Sequence, residues 1–400
     1  MNKPELLAPA GDMERLKIAF LYGADAVYIG GSLFGLRANA KNFTIDEIKE
    51  AVNYAHNLKK RVYVTVNIVL HSKELKDLVT YLKKLDKIGV DAIIVSDPAV
   101  IVLASKYTDL EIHLSTQQST LNYEAVKFWK RHNVTRIVLA REASREEIRE
   151  IKANVDIEIE CFIHGAMCAG FSGRCVLSNY FTNRDANRGG CAQICRWDFD
   201  LIGDNGLIKG EKPFTFCAKD LSMLKFIPEM IDLGIDSFKI EGRMRSIYYI
   251  ATITSIYRKV IDEFCQDSLN YTYNKEYENI LSMCANRDSF PQFFEGTNLE
   301  SFQYYNERIE VSNQDFLGLV LDYDENSKMV TIEERNYFKK GDVVEIFGPN
   351  ILTITYTIDT IIDSLGNVID VVRHPNQIVK MPLDISVPVN SMMRIKRNNL

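Results

Sequence analysis

Eight short apolar runs alternate with amphipathic helical stretches over the first two-thirds of the chain, and this alternation constrains the fold most strongly. Buried, β-rich runs separated by helices are typical of parallel strands, which need right-handed helical crossovers. Eight such units close most naturally into a (β/α)8 barrel of the TIM type, within the α/β class. A doubly wound open sheet is the alternative, but no G-x-G-x-x-G motif follows a strand, which counts against a dinucleotide-binding fold. The runs are Leu6–Pro9, Ala26–Ile29, Arg61–Val69, Ala92–Val95, Glu111–Ser115, Arg136–Leu139, Ile157–Ile163 and Ser237–Ile240.

The pattern divides the chain into three regions. Residues 1–275 form the predicted barrel, and a cysteine-rich insertion at 165–219 separates its seventh strand from the following helix. Residues 276–315 read as a polar and aromatic connector. Residues 316–400 contain short alternating strands and turn residues, so they predict a small β-barrel-like domain. The insertion ends in a predicted hairpin, for which Gly203–Gly206 supplies the turn.

The charge balance limits how the chain meets its partners. It has 48 Lys and Arg against 54 Asp and Glu, for a formal net charge of −6. A nucleic-acid partner would therefore contact a local basic patch rather than a general positive field. No apolar run is long enough to span a bilayer, and Met1–Leu7 lacks the pattern of a signal peptide. These features predict a cytoplasmic protein without a membrane partner.

Six of the eight cysteines lie within 161–217, and in a reducing cytosol such clustering favours metal binding over disulfides. Thiolates are soft ligands that select zinc, copper(I) or iron–sulfur clusters. Only Cys191 and Cys195 are spaced like a zinc knuckle, so a 4Fe–4S cluster is favoured and zinc is the alternative. Cys217 is a candidate to replace Cys195 as the fourth ligand, and free loop thiols are the structural alternative. The thiols that are candidates for such a site include Cys168, Cys175, Cys191 and Cys195.

The cysteine region resembles a known protein family. Glu160–Ser178 reads E-C-F-I-H-G-A-M-C-A-G-F-S-G-R-C-V-L-S and closely resembles the signature of peptidase family U32, the collagenase-like proteins. Three further stretches are similar to the family: Glu5–Gly11, Arg184–Cys195 and Lys239–Arg243. The resemblance covers essentially the whole chain, including the C-terminal β-domain.

The resemblance implies more than one activity. Some members are described as collagenases, whereas others resemble RNA hydroxylation proteins that are associated with a 4Fe–4S cluster and require prephenate. The domain order here is most similar to the branch that converts the tRNA wobble uridine to 5-hydroxyuridine. By that resemblance tRNA and prephenate are the expected partners, with an electron donor as a further one. The same resemblance implies that Cys168, Cys175, Cys191 and Cys195 are the cluster ligands. The segment Phe216–Asp220 departs from the Asn-Ser-Lys-Asp expected there, which leaves the fourth ligand open.

Polar residues that follow the apolar runs are predicted to meet at the C-terminal rim, where TIM barrels place their chemistry. Prephenate is a dicarboxylate, and carboxylates favour arginines with bidentate geometry. For each residue the alternative is a structural ion pair or a hydrogen bond to the backbone. The predicted catalytic residues are Asn67, Gln117, His164, Glu241 and Arg243. The predicted substrate-binding residues are Arg37, Asp97 and Arg141.

A U32-type peptidase is the alternative function. A protease needs a nucleophile with a base in reach, yet the sequence has neither G-x-S-x-G nor H-E-x-x-H. His164 precedes Cys168 closely enough for a conceivable Cys–His pair. A thiolate that binds a metal is, however, no longer a free nucleophile, so the residues favour the hydroxylation hypothesis.

A second alternative is an rRNA hydroxylation factor, or an RNA-binding module whose metal site is structural. Two basic stretches, Lys339–Lys340 and Arg394–Arg397, are candidates for contacts with phosphates. Tyr337 and Phe338 are candidates for stacking on bases. This hypothesis places RNA on the C-terminal domain rather than at the barrel rim.

Overall fold

The computed structural model describes residues 3–36, 42–204, 206–208, 213–284, 287–296, 300–306 and 314–396. Eight parallel strands form a closed ring, because the last strand pairs with both the first and the seventh. This ring confirms the predicted (β/α)8 barrel and excludes the open sheet. The strands, labelled β1 to β8, are Glu5–Pro9, Ala26–Gly30, Arg61–Val66, Ala92–Val95, Glu111–Leu114, Arg136–Val138, Glu158–Gly165 and Ser237–Ile240.

Helices cover the outer face of the barrel. Two of them begin with capping boxes, in which Thr44 and Ser144 exchange hydrogen bonds with a glutamate three residues later. None of the helices in the described ranges is both long and apolar enough to cross a bilayer. The helices α1 to α8 are Met13–Leu21, Ile45–Asn57, Leu75–Ile88, Pro98–Tyr107, Tyr123–Lys130, Arg145–Asn154, Ile227–Asp232 and Ile247–Gln266. A further helix, Glu276–Cys284, packs against α8.

The barrel interior holds a buried network of charged side chains. Glu160 is fully buried and accepts hydrogen bonds from Lys239 Nζ at 2.8 Å and from Arg136 Nη1 at 3.2 Å. Arg136 also binds Glu5 at 2.6 Å, and Tyr63 donates to the same carboxylate at 2.6 Å. The interior of this barrel is therefore charged rather than apolar, and each buried charge is paired with one of opposite sign.

The cysteine-rich insertion lies between β7 and α7. A short antiparallel pair, Leu201–Gly203 with Gly206–Ile208, confirms the predicted hairpin. The strand Phe214–Ala218 pairs with Gln303–Asn306, while Asp220–Ser222 extends the barrel sheet beside the end of β7. The remaining elements are the helix Leu177–Thr182 and the 3-10 turns Phe171–Gly173, Ala186–Arg188 and Ile194–Arg196.

The C-terminal region is an eight-stranded antiparallel sheet with its own apolar core. It packs on the barrel through aromatic contacts: Tyr248 stacks on Phe316 at 5.2 Å, and Tyr22 meets Phe347 edge-on at 6.0 Å. The strands in sheet order are Ile354–Thr357, Val343–Phe347, Met392–Lys396, Gln314–Asp324, Met329–Glu334, Ile378–Pro382, Ile361–Asp363 and Val368–Ile369. A separate short pair joins Phe338–Lys339 to Val371–Val372.

The predicted RNA contacts of this domain need correction. The basic stretch Arg394–Arg397 begins inside an interior strand of the sheet, Met392–Lys396, and Arg394 is buried and bound to Glu345 at 2.8 Å. Phe338 is fully buried in the core of the sheet, so it is not available to stack on a base. Arg397 lies outside the described residues. Tyr337 and the pair Lys339–Lys340 lie on the surface as predicted.

Candidate functional site

The insertion leaves the barrel at Gly165, the last residue of β7. This glycine has a φ of +112°, and a Cβ placed on it would lie 2.7 Å from the carbonyl oxygen of Glu241. Only glycine therefore fits where the chain passes this closely over the end of β8. The loop that follows carries its cysteines over the C-terminal ends of the strands, which is the catalytic face of a TIM barrel.

Cys168 lies beside an arginine that is fixed by stacking. The guanidinium of Arg141 lies 4.1 Å from the ring centre of Phe162, and its Nη1 is 4.0 Å from Cys168 Sγ. Cys168 is exposed, and Gly173 lies near its sulfur, since a Cβ placed on Gly173 would be 4.0 Å from it. The loop therefore holds this sulfur beside a fixed cation.

The side chain of Asn187 holds the backbone of Cys175 in place through two hydrogen bonds. Asn187 Oδ1 accepts a hydrogen bond from Cys175 N at 3.4 Å, and Asn187 Nδ2 donates to Cys175 O at 3.2 Å. The sulfur of Cys175 accepts from the backbone N–H of Leu177 at 3.4 Å. Side chains that orient ligands in this way are typical of metal sites, where their loss weakens binding 10- to 100-fold.

Glu142 anchors the first turn of the loop. Its two carboxylate oxygens accept from the backbone N–H and the hydroxyl of Ser172, each at 2.7 Å. Ser172 is buried and has a φ of 51°, a conformation that non-glycine residues adopt at a cost. The carboxylate thus stabilises a strained turn between Cys168 and Cys175.

Replacing Glu142 with alanine is expected to loosen this turn by about 1–3 kcal/mol, because the buried N–H of Ser172 loses its acceptor. Hydrogen exchange of residues 170–176 measures the effect and should accelerate about 5- to 150-fold. Glu150→Ala is the control, since Glu150 is exposed on α6. Equal exchange rates in the two variants would contradict the anchoring role.

The other thiols group around Cys195. Burial raises the pKa of Cys195 to about 11, Arg196 opposes this, and the charges of Cys168, Cys217 and Cys191 raise it further. These three sulfurs therefore lie within electrostatic range of Cys195. Yet among the described residues no three Cys, His, Asp or Glu side chains are close enough to hold a single metal ion. The loop therefore brings several thiols to the same rim of the barrel, but it does not place them around a single metal ion.

A buried polar cluster adjoins Cys217. Arg287 lies 2.6 Å from Asp220 Oδ1, and Arg245 lies 3.8 Å from Asp220 Oδ2. Burial lowers the pKa of Arg287, but Asp220 and the thiol of Cys217 raise it overall. Burial raises the pKa of Asp220 despite the two arginines. The positive charge of Arg287 therefore faces the thiol of Cys217, which the sequence left open as a fourth ligand.

Three of the five predicted catalytic residues form one hydrogen-bonded chain at the rim. Asn67 Nδ2 donates to Gln117 Oε1 at 3.1 Å, and Asn67 Oδ1 accepts from Leu36 N at 3.2 Å. Arg243 donates to the carbonyl of Leu36 and to Thr65 Oγ1. All three side chains are buried. The structure brings these residues together, while their catalytic role stays a prediction.

His164 lies apart from that chain. It packs between the rings of Tyr249 and Tyr257 on α8, with Nδ1 3.2 Å from Tyr257 Oη. A register shift between β7 and β8 at this position accounts for its direction. Burial and the charge of Arg245 lower its pKa to about 3, although Glu241 opposes this. His164 is therefore neutral at physiological pH.

The remaining predicted residues have different surroundings. Glu241 follows β8 and is half-buried, and its backbone N–H donates to the carbonyl of His164 at 2.9 Å. Asp97 caps α4, and its two oxygens accept from the backbone of Leu70 and Ala99 at 3.0 and 2.9 Å. Arg37 lies outside the described residues. Roles in catalysis and substrate binding stay predictions for this group too.

A cavity of about 680 Å³ opens beside Cys175. It is lined mainly by apolar side chains, and Asn187 and Arg174 are its polar members. Such a mixture is typical of pockets that bind small organic groups. The full lining is Val69, Ala169, Gly170, Arg174, Cys175, Val176, Leu177, Asn187 and Phe216.

Sequence reasoning missed the residues that support the thiols. Glu142 is 30 residues from its partner Ser172 and Asn187 is 12 residues from its partner Cys175. Both lie outside the α-helices and β-strands, so no sequence periodicity marks them. Asn187 does lie inside the family-like stretch Arg184–Cys195, which was the available signal. The cluster around Asp220 and Arg287 joins segments 67 residues apart, so it becomes visible only in the folded chain.

Comparisons with known proteins identify the family. The model of peptidase family U32 matches residues 11–303, and that of the peptidase family U32 C-terminal domain matches residues 312–394. The tRNA hydroxylation protein P1 of Bacillus subtilis (strain 168) is 54% identical, covering 98% of this chain and 95% of its own. A 23S rRNA 5-hydroxycytidine synthase of Escherichia coli (strain K12) is 40% identical over 66% of this chain and 40% of its own. A collagenase of Porphyromonas gingivalis (strain ATCC BAA-308 / W83) is 31% identical, covering 90% of each chain. The chain therefore belongs to peptidase family U32 and carries that family's C-terminal domain.

Proposed function

We propose that this protein is a cytoplasmic, iron–sulfur-dependent enzyme that hydroxylates the wobble uridine of tRNA at C5, with prephenate as a required metabolite. The observation that carries the proposal is the gathering of thiols at the catalytic rim of the barrel, around Cys195. The 54% identity to a tRNA hydroxylation protein over nearly the whole chain supports the choice of substrate.

The donor set suits a four-iron cluster better than zinc. Sulfurs around one tetrahedral zinc ion lie about 3.8 Å apart, as bonds of about 2.3 Å require. A four-iron cluster binds each thiolate at a different iron and accepts a wider spacing. Cys168, Cys175 and Cys191 would hold it, with Cys195 or Cys217 as the fourth ligand. When bound, such a cluster supplies one-electron transfer, for which an electron donor is a further proposed partner.

Arginines at the rim support a dicarboxylate co-substrate. Arg243 is buried at the end of β8, and Arg141 is held against Phe162 beside Cys168. Fixed guanidinium groups bind carboxylates in a bidentate manner, and burial strengthens that attraction. These residues would position prephenate close to the thiols, while the tRNA base enters from solvent.

Deleting the gene is expected to remove 5-hydroxyuridine derivatives from bulk tRNA, because the deletion removes the proposed hydroxylating enzyme. Mass spectrometry of tRNA nucleosides measures this. Wild-type protein should restore the nucleosides, and the Cys191→Ser variant should not. An unchanged 5-hydroxyuridine level in the deletion strain would reject the function. Loss of rRNA 5-hydroxycytidine instead would favour the rRNA alternative, which the 40% identical synthase supports.

Peptidase activity is the second candidate, supported by the relative named a collagenase. The geometry favours it less, since among the described residues His164 hydrogen-bonds Tyr257 and no serine or cysteine. A neutral, fully enclosed imidazole without a nucleophile does not form a catalytic dyad. Collagen cleavage that survives iron removal would revive this candidate.

A further inference from the structure

A row of aromatic rings crosses the cysteine-rich insertion. Trp197 meets Phe181 edge-on at 6.5 Å, Phe181 meets Phe199 at 5.8 Å, and Phe199 meets Phe216 at 5.4 Å. The side chains of Trp197, Phe181 and Phe216 are 44%, 54% and 47% exposed. Contiguous exposed rings of this size are uncommon on folded proteins and mark interaction surfaces. We call Trp197, Phe181, Phe199 and Phe216 the aromatic row.

The aromatic row leads to the cavity beside Cys175. Phe216 belongs to both, because it ends the row and lines the cavity. Next to Phe181, the side chain of Tyr180 is 83% exposed on the helix Leu177–Thr182. A planar ligand bound along the row would therefore reach the cavity beside Cys175.

Positive charge accompanies these rings. Between Cys168 and Trp197 the sequence has four arginines and a single acidic residue, Asp185, although the whole chain is net negative. Arg174 and Arg184 are exposed, and within the described ranges neither forms an ion pair. Arg188, in contrast, is bound to Glu74. Two arginines beside the row are thus available to an anionic ligand.

We propose that the aromatic row binds unpaired RNA nucleotides, whose bases stack on Trp197, Phe181 and Phe216. Arg174 and Arg184 bind the backbone phosphates. Exposed rings with interspersed arginines suit single-stranded RNA, since every base offers a π-face and every linkage a charge. This inference rests on the proposed function, and it assigns the anticodon loop to the insertion rather than to the C-terminal domain.

Stacking should dominate the affinity. Asp198 and Asp200 are exposed next to Trp197 and add negative charge at that end of the row. Two arginine–phosphate contacts on a single strand give a slope of about −1.4 in log K against log salt. Each stacked base, in comparison, is worth roughly 5- to 100-fold in the dissociation constant.

Fluorescence of the full-length protein tests the proposal. The chain has two tryptophans, so Trp129→Phe leaves Trp197 as the only reporter. An unpaired oligoribonucleotide and an anticodon stem-loop are expected to quench its emission, whereas a blunt RNA duplex should not. Tyr180→Ala with Phe181→Ala should raise the dissociation constant about 10- to 100-fold. Arg174→Ala or Arg184→Ala should reduce the salt slope by about 0.7 each.

Tyr107→Ala is the matched control. Tyr107 is 39% exposed at the C-terminal end of α4, at the face of the barrel opposite the thiols. Its loss should leave the dissociation constant unchanged, and thermal unfolding should show that all variants are folded. The proposal is overturned if the Tyr180/Phe181 variant binds normally, if duplex quenches equally, or if Tyr337→Ala weakens binding instead.

The two proposals fail separately. A deletion strain with unchanged 5-hydroxyuridine rejects the hydroxylation function, yet oligoribonucleotide binding along the row would still stand. If the deletion removes the nucleoside and the Tyr180/Phe181 variant restores it fully, the function holds and the row is not the RNA surface. A variant that fails to bind RNA and fails to restore the nucleoside supports both.

Discussion

Glu160→Ala is expected to lower the free energy of unfolding by about 3–5 kcal/mol, because it leaves buried cations without their shared carboxylate. Glu160 is fully buried, and Lys239 and Arg136 bind it at 2.8 and 3.2 Å. Removing one partner of such a network uncovers the desolvation penalty of the others. Denaturant unfolding at pH 7 measures the change.

Glu158→Ala is the matched control. Glu158 binds the same Arg136 at 2.8 Å, but its side chain is 50% exposed, so its loss should cost less than about 1 kcal/mol. The double variant Glu160→Met with Lys239→Met should recover most of the stability, since Arg136 keeps Glu5 at 2.6 Å. A double variant as unstable as Glu160→Ala would mean that lost packing, rather than unpaired charge, causes the defect.

Acid should reduce the contribution of Glu160. Burial alone would raise its pKa, but Lys239 and Arg136 outweigh burial and lower the pKa to about 2 from 4.5. Because the folded pKa is below the unfolded one, the carboxylate stabilises the fold fully above about pH 4.5 and loses this effect towards pH 2. The difference in unfolding free energy between wild type and Glu160→Ala should therefore shrink across that window. A constant difference would contradict the ion-pair account.

The barrel could be predicted because its signal is local. Each apolar run and each amphipathic helix appears within a window of the sequence, and eight repeats leave few ways to close. The ion network inside could not be predicted in the same way. Glu5, Arg136, Glu160 and Lys239 are distant in sequence, and they meet only once the strands have adopted their register.

Two parts of the chain differ from what their local sequence suggests, for the same physical reason. The basic stretch Arg394–Arg397 was a candidate for contacts with phosphates, yet Glu345 on the neighbouring strand neutralises Arg394 inside the sheet. His164 is close to Cys168 in sequence, but the register shift in β7 turns its ring towards α8. In both cases a tertiary partner outweighs the local pattern, and no single window of sequence contains that partner.

The thiols illustrate the opposite case. Their clustering in sequence predicted a common rim loop, and Cys195 does lie within electrostatic range of three others. What the sequence lacked was the support: Glu142 and Asn187 fix the loop from outside the cysteine motif. The position of Cys217 also depends on a strand pairing, that of Phe214–Ala218 with Gln303–Asn306. No local sequence signal predicts this pairing.

Serine substitution of Cys168, Cys175 or Cys191 is expected to remove iron and sulfide from the anaerobically purified protein and to abolish tRNA hydroxylation. Loss of a residue that only orients a ligand costs 10- to 100-fold, so loss of a ligand itself should cost at least about 100-fold in activity. Iron and acid-labile sulfide assays measure the first effect, and nucleoside mass spectrometry measures the second. Cys265→Ser is the control, because Cys265 lies near the end of α8, away from the rim.

The same assays decide the fourth ligand. Cys195 is half-buried in a 3-10 turn four residues after Cys191, whereas Cys217 is 2% exposed on a strand and faces Arg287. One of Cys195→Ser and Cys217→Ser should lose the cluster, and the other should keep it. If Cys175→Ser keeps iron while both of these lose it, the ligand set is the group around Cys195, and Cys175 only lines the cavity. If every variant keeps its iron and its activity, the thiols do not serve the chemistry, and the redox hypothesis is wrong.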